Sequence, residues 1–174
     1  MATSRRRLPS RGEALLLGGA CVALIHVWAV LNFLREVPAL LLRMTYSELL
    51  AAGAYTLVFA LLESVLLFLA LVLLAVLLPA SWLREGFAVR GVLVLCVLLA
   101  WLFLSPRLQN QPPWASVLLL AVLLVALGLS YKLLRNQQGL AHTIRDLLER
   151  LSLLSGLYLA LDLLSLLLVL ARNL

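Results

Sequence analysis

Residues 49–78 read LLAAGAYTLVFALLESVLLFLALVLLAVLL, 30 residues with one charge, Glu63. At 1.5 Å per residue a helix of that length reaches about 45 Å, well beyond the roughly 30 Å of a bilayer's hydrocarbon core. No Gly or Pro flanks Glu63 to turn the chain back on itself. The stretch therefore reads as one long membrane-spanning helix, tilted or protruding, and not as two short ones. Upstream, Thr45-Tyr46-Ser47-Glu48 has the spacing of a capping box, in which the two ends of the motif satisfy each other's backbone donors. Downstream, Pro79 marks the end.

The rest of the chain repeats this character. Of 174 residues, 64% are hydrophobic and 13% charged, and about a third are leucine. A soluble domain averages about half apolar and a quarter charged, and could not hide so much apolar surface from water. The expected fold is all-α: a polytopic transmembrane helical bundle with about five spans. These fall near residues 14–34, 49–78, 87–104, 115–131 and 151–171, and form a single membrane domain over 1–174 with no soluble module.

The spans are unequal. The first follows Arg5, Arg6, Arg7 and Arg11; its apolar run exceeds a signal-peptide core and lacks an A-x-A site, so a retained helix is expected over a cleaved signal. Residues 35–46 are expected at the interface, with Pro38 opening a short turn. The third span is short and must start near Phe87, with Arg90 reaching back to the headgroups. Gln111-Pro112-Pro113-Trp114 reads as a rigid loop with an interfacial Trp, and Trp82 as a second such anchor. No proline separates Leu140 from Ala171, so the last helix can emerge far beyond the bilayer.

The net charge of +6 would suggest nucleic acid in a soluble protein. Here the basic residues sit between apolar runs, and no nucleic-acid partner is expected. With five spans, ten of the 14 Lys and Arg fall on the side of the N-terminus. The positive-inside rule then puts the N-terminus in the cytoplasm and the C-terminus outside. Compactness and short connections point to a bacterial cytoplasmic membrane.

Catalytic signatures are absent: there is no G-x-S-x-G, H-E-x-x-H, C-x-x-C or P-loop in the chain. Cys21 and Cys96 lie in apolar runs and read as core residues. A haem would need a second axial ligand beside His26, and neither Met1 nor Met44 offers one. No cofactor, no metal and no enzymatic activity are expected.

Three ionisable residues remain inside spans: His26, Glu63 and Asp162, each near its segment's midpoint. An ionised acid at mid-membrane costs about 2.5–3.5 kcal/mol on insertion scales, so such groups face protein, pair or change protonation state. Asp162 shares a helix face with Ser155, Tyr158 and Ser165, and further back with Ser152, Glu149 and Arg145. Glu63 shares one with Ala52, Thr56 and Ala70, and His26 with Gly19 and Ala23, a small-xxx-small pattern. Helices one, two and five are thus expected to form the core, with three and four peripheral. The candidate intramembrane polar cluster is His26, Glu63, Asp162, Ser155, Tyr158 and Ser165.

Two functions fit these residues. One is a non-catalytic subunit or accessory protein of a membrane assembly, whose partners are the lipid bilayer and either another membrane protein or further copies of itself. The other is a small proton- or cation-coupled transporter, with Glu63 and Asp162 as carriers and His26 as relay. A lipid-acting enzyme using Arg84, Glu85, His142, Arg145, Asp146 and Glu149 is a weaker third; those side chains read as solvated loop and helix-surface charges.

Overall fold

The computed structural model describes residues 10–77, 86–104, 112–136 and 138–173. Five helices occupy them, with no strand among the described residues: α1 (Arg11–Leu40), α2 (Tyr46–Leu77), α3 (Phe87–Leu104), α4 (Pro113–Asn136) and α5 (Gln138–Asn173). All five are long and apolar enough to cross a membrane. Arg5, Arg6, Arg7, Pro79, Trp82, Arg84, Glu85 and Gln111 lie outside the described residues.

Local chemistry sets the helix boundaries. Ser10 caps α1 by accepting the Glu13 amide at 3.3 Å. The capping box at α2 forms in both directions: the Thr45 amide donates to Glu48 Oε2 at 2.8 Å, and the Glu48 amide donates to Thr45 Oγ1 at 3.4 Å. Gly86, at φ 73°, takes the left-handed turn that a side chain would resist and leads into α3. There Glu13 Oε2 of α1 accepts the Phe87 amide at 3.0 Å, so a side chain 74 residues away caps the third helix. Pro113 occupies the first position of α4, where a missing N–H costs nothing.

Two boundaries differ from expectation. Helix α1 continues to Leu40 with Pro38 inside it, and the turn lies at 41–45 instead of 35–46. Pro38 forfeits one backbone bond, but only two helical residues follow it, so the break has almost nothing to disrupt. Glu36 is therefore a helical side chain on the same rod as His26. Helix α5 runs unbroken for 36 residues, about 54 Å at 1.5 Å per residue, as the lack of proline allows.

Helix α1 is the hub, touching α2, α3 and α5. Helices α1, α3 and α5 run parallel, and α2 and α4 return between them. The parallel register of α1 and α3 shows in successive contacts: Glu13 with Phe87, Gly91 against Leu17, and Trp28 edge-on to Phe103 at 5.4 Å. A Cβ at Gly91 would come within 2.5 Å of Leu17, so glycine sets the approach of these two helices. Near the start of α1 the core comprises Leu17, Cys21, Leu71, Ala75, Phe87 and Leu95. Helix α3 thus joins the core through its first half, contrary to the peripheral place expected of it; only α4 lies outside, with none of its membrane window buried. Leu and Val carry no directional signal when the core and the lipid are equally apolar. The small residues decide instead: the interior holds Ala20, Ala23, Ala51, Ala54, Ala60, Ala75 and Ala88, while dozens of leucines face outward.

Candidate functional site

Helices α1 and α5 approach closely at Gly19, where a Cβ would sit 3.0 Å from Ser152 Cβ and 3.3 Å from Ser155 Oγ. Seven residues further along α1, and ten from Ser152 on α5, that approach brings His26 and Asp162 face to face. His26 Nε2 and Asp162 Oδ1 are 2.8 Å apart, and the side chains are 0% and 1% exposed. His26 Nδ1 lies 2.8 Å from the Val22 carbonyl, one turn back on its own helix.

These two bonds determine the proton inventory. A carbonyl only accepts, so Nδ1 carries a proton and donates it to Val22. Nε2 then either donates a second proton to a carboxylate or accepts one from a carboxylic acid. Both forms are neutral as a pair, which is what hydrocarbon depth favours. Asp162 Oδ2 is buried and has no hydrogen-bond partner among the described residues. An unpaired carbonyl oxygen of the neutral acid is the less costly form to leave there than an unpaired carboxylate oxygen. The Tyr158 ring, one turn before Asp162, lies against the His26 ring at 5.1 Å and 30°. It covers the imidazole.

The remaining polar residues of α5 serve the contact itself. Ser155, Asp162 and Ser165 are buried, so most of the inward face of this membrane helix is polar. Ser152 Oγ donates to the Glu149 carbonyl at 2.7 Å and Ser155 Oγ to the Ser152 carbonyl at 2.6 Å, so each satisfies itself locally and leaves a small surface for Gly19. Ser165 opens instead onto an apolar groove with Val30, Phe33 and Leu168. Arg145 and Glu149 leave the stripe and pair at the surface at 3.6 Å, as do His142 and Asp146 at 3.1 Å.

Glu63 is elsewhere. It is exposed, and the inward residue of that turn is its neighbour Ser64, whose hydroxyl donates to the Leu61 carbonyl at 2.8 Å. Glu63 lines a groove of about 330 Å³ on the outer face between α1 and α2, with Trp28, Asn32, Glu36, Thr56 and Phe59. On α1, Trp28 and Asn32 stand about 200° and 240° round from His26 at 100° per residue. The structure therefore unites His26, Asp162 and Tyr158, keeps Ser155 and Ser165 on the same helix face, and separates Glu63 from all of them. Glu63 and Ala70 are one residue out of phase with Ser64 and Leu71, which α2 buries there, and a shift of one residue rotates a helical position by about 100°. Glu36, one polar companion of Glu63, was hidden by the reading of 35–46 as non-helical; Asn32 lay within the first span as read and was not singled out.

Among the described residues no three His, Cys, Asp or Glu side chains gather as a metal site would require. Compared with protein families, curated proteins and solved structures, the chain matches none.

Proposed function

We propose that this protein is a non-catalytic subunit or accessory protein of a membrane assembly, and that it meets its partner on the α1–α2 face carrying Glu63. One observation carries this: an acid near the middle of a span opens outward, beside Glu36, Asn32 and Thr56. Facing lipid, an ionised acid at that depth costs about 2.5–3.5 kcal/mol. A partner helix bearing a hydrogen-bond donor or a cation would offset that cost. A second copy of this chain fits less well, because the apolar stretches 14–34, 49–78, 87–104, 115–131 and 151–171 hold no Lys or Arg except Arg90, at the start of α3. The excess of basic residues beside the N-terminus supports a cytoplasmic N-terminus, and the short connections support a bacterial cytoplasmic membrane.

The transporter is the second reading. A His–acid pair able to share a proton is a motif for proton movement, but here it is sealed, and Glu63 lies apart from it. One experiment separates the two. Native membranes carrying wild-type protein or Glu63→Gln are resolved by mass under non-denaturing conditions, and each purified chain is reconstituted to measure proton flux. The subunit reading expects a wild-type complex heavier than the chain alone, reduced by Glu63→Gln, and flux equal to empty vesicles in both. A solitary wild-type chain with flux abolished by Glu63→Gln overturns it in favour of transport.

A further inference from the structure

At the end of the bundle remote from the chain's N-terminus, three pieces of chain converge: the 41–45 turn, the first three turns of α2 and the last turn of α5. Between them lies an open cavity of about 590 Å³, bordered by Arg43, Glu48, Tyr55, Arg172 and Asn173. Its depth follows from the sequence: Arg172 is the first charge after the apolar run that follows Asp162, and Arg43 sits in the turn that closes α1. That is the level of the lipid headgroups.

The two guanidinium groups of this cavity make no bonded ion pair with a described residue, although Arg172 lies close enough to Glu48 for its charge to help hold that carboxyl ionised. Among the described residues the ion pairs are His26–Asp162, His142–Asp146 and Arg145–Glu149, so neither Arg43 nor Arg172 has an acid within bonding distance. Asn173 Nδ2 donates to the Tyr55 hydroxyl at 2.7 Å, so that oxygen is held in place while its own proton remains free to donate. The one acid at the rim, Glu48, is occupied in part: its Oε2 receives both the amide and the hydroxyl of Thr45, at 2.8 and 2.9 Å. Two guanidinium groups and a phenol facing one cavity match the oxygens of a phosphate ester, which arginine forks bind in a bidentate manner. Leu41, Leu42 and Met44 are exposed beside it and suit acyl chains.

We propose that this cavity binds the phosphate of an anionic phospholipid, with Arg43, Arg172 and Tyr55 as the donors. This site is independent of the α1–α2 face. The test uses the intact chain in detergent, with retained lipid counted by native mass spectrometry after addition of phosphatidylglycerol or phosphatidylcholine. Phosphatidylglycerol is expected in preference, because choline's cation would meet the two arginines. Each of Arg43→Gln and Arg172→Gln lowers retention about fivefold, from roughly 1 kcal/mol per basic residue at a membrane surface. Arg145→Gln, on the paired surface of α5, has no effect. Glu48→Gln keeps a carbonyl for the Thr45 cap and increases retention, which reports on the site even if an arginine variant unfolds. Equal retention of the two lipids, or wild-type retention by a folded Arg43→Gln/Arg172→Gln double variant, overturns the proposal. Full displacement of the lipid by soluble glycerol phosphate at equal concentration would assign the site to a soluble ester and overturn it as a lipid site.

Discussion

Two acids lie near the middle of their apolar spans, and the bundle treats them oppositely. Asp162 is enclosed, bonded to His26 and covered by Tyr158; Glu63 stands on the outer face in a groove with Glu36 and Asn32. Neighbours one and two turns away explain the difference. Asp162 shares its face with Ser155 and Ser165, and Ser155, with Ser152, lets α1 close in at Gly19. Glu63 has Phe59 and Thr56 on its face, while the close-packing positions of α2 are Ala60 and Ser64. An acid in a membrane helix is thus resolved inside the fold where small residues bring a partner to it, and left for another molecule where they do not.

The largest expected effect tests the enclosed side. Asp162→Ala leaves His26 Nε2 buried without its partner and costs about 3 kcal/mol, the upper end for a buried polar group left unpaired. Thermal melting of the purified chain, followed by circular dichroism, would show it. Asp162→Asn restores most of the loss, because its amide donates to Nε2 while Nδ1 still donates to Val22; about 1 kcal/mol separates it from wild type. The double variant His26→Leu/Asp162→Leu also recovers stability relative to Asp162→Ala, since replacing both partners with apolar groups leaves no orphan. If Asp162→Ala melts with wild type, the pair contributes nothing and the contrast with Glu63 disappears.

The five helices were legible because apolar length is a one-dimensional property. The α1–α5 contact was legible too, since Gly19, Ala23 and His26 recur at helical spacing and Ser155, Tyr158, Asp162 and Ser165 answer them. Three things were not. The outward turn of Glu63 escaped because α2 buries Ala51 and Ala54 on one side near its start and Ser64, Leu71 and Ala75 on another further along; no single stripe describes it. The share of α3 in the core escaped because it depends on one glycine, Gly91, meeting Leu17. The Arg43–Arg172 cavity joins residues far apart in the chain, and no periodicity relates them.

Intermediate effects probe how close the helices come. Gly19→Val would drive side-chain atoms into the Ser152 backbone, where even a Cβ lies 3.1 Å from Cα; about 2 kcal/mol is expected from overpacking. Gly128→Val on α4 meets nothing within 4 Å and serves as the control. Glu13→Ala removes the cap on the Phe87 amide and costs about 1 kcal/mol, with faster amide exchange confined to the first turn of α3. Loss of protection spread evenly over all five helices would show instead that Glu13 acts on the whole bundle.

The smallest change in melting belongs to Glu63→Leu, and it bears hardest on the comparison. With no partner among the described residues and an exposed position, its removal should leave melting within about 0.5 kcal/mol of wild type or raise it. In the native membrane the same substitution should deplete the complex, because the groove loses the group a partner's donor would reach. Destabilisation of the isolated chain by an amount close to that of Asp162→Ala would mean that Glu63 is satisfied within the bundle after all. The two acids would then be alike, and the α1–α2 face would have no claim on a partner.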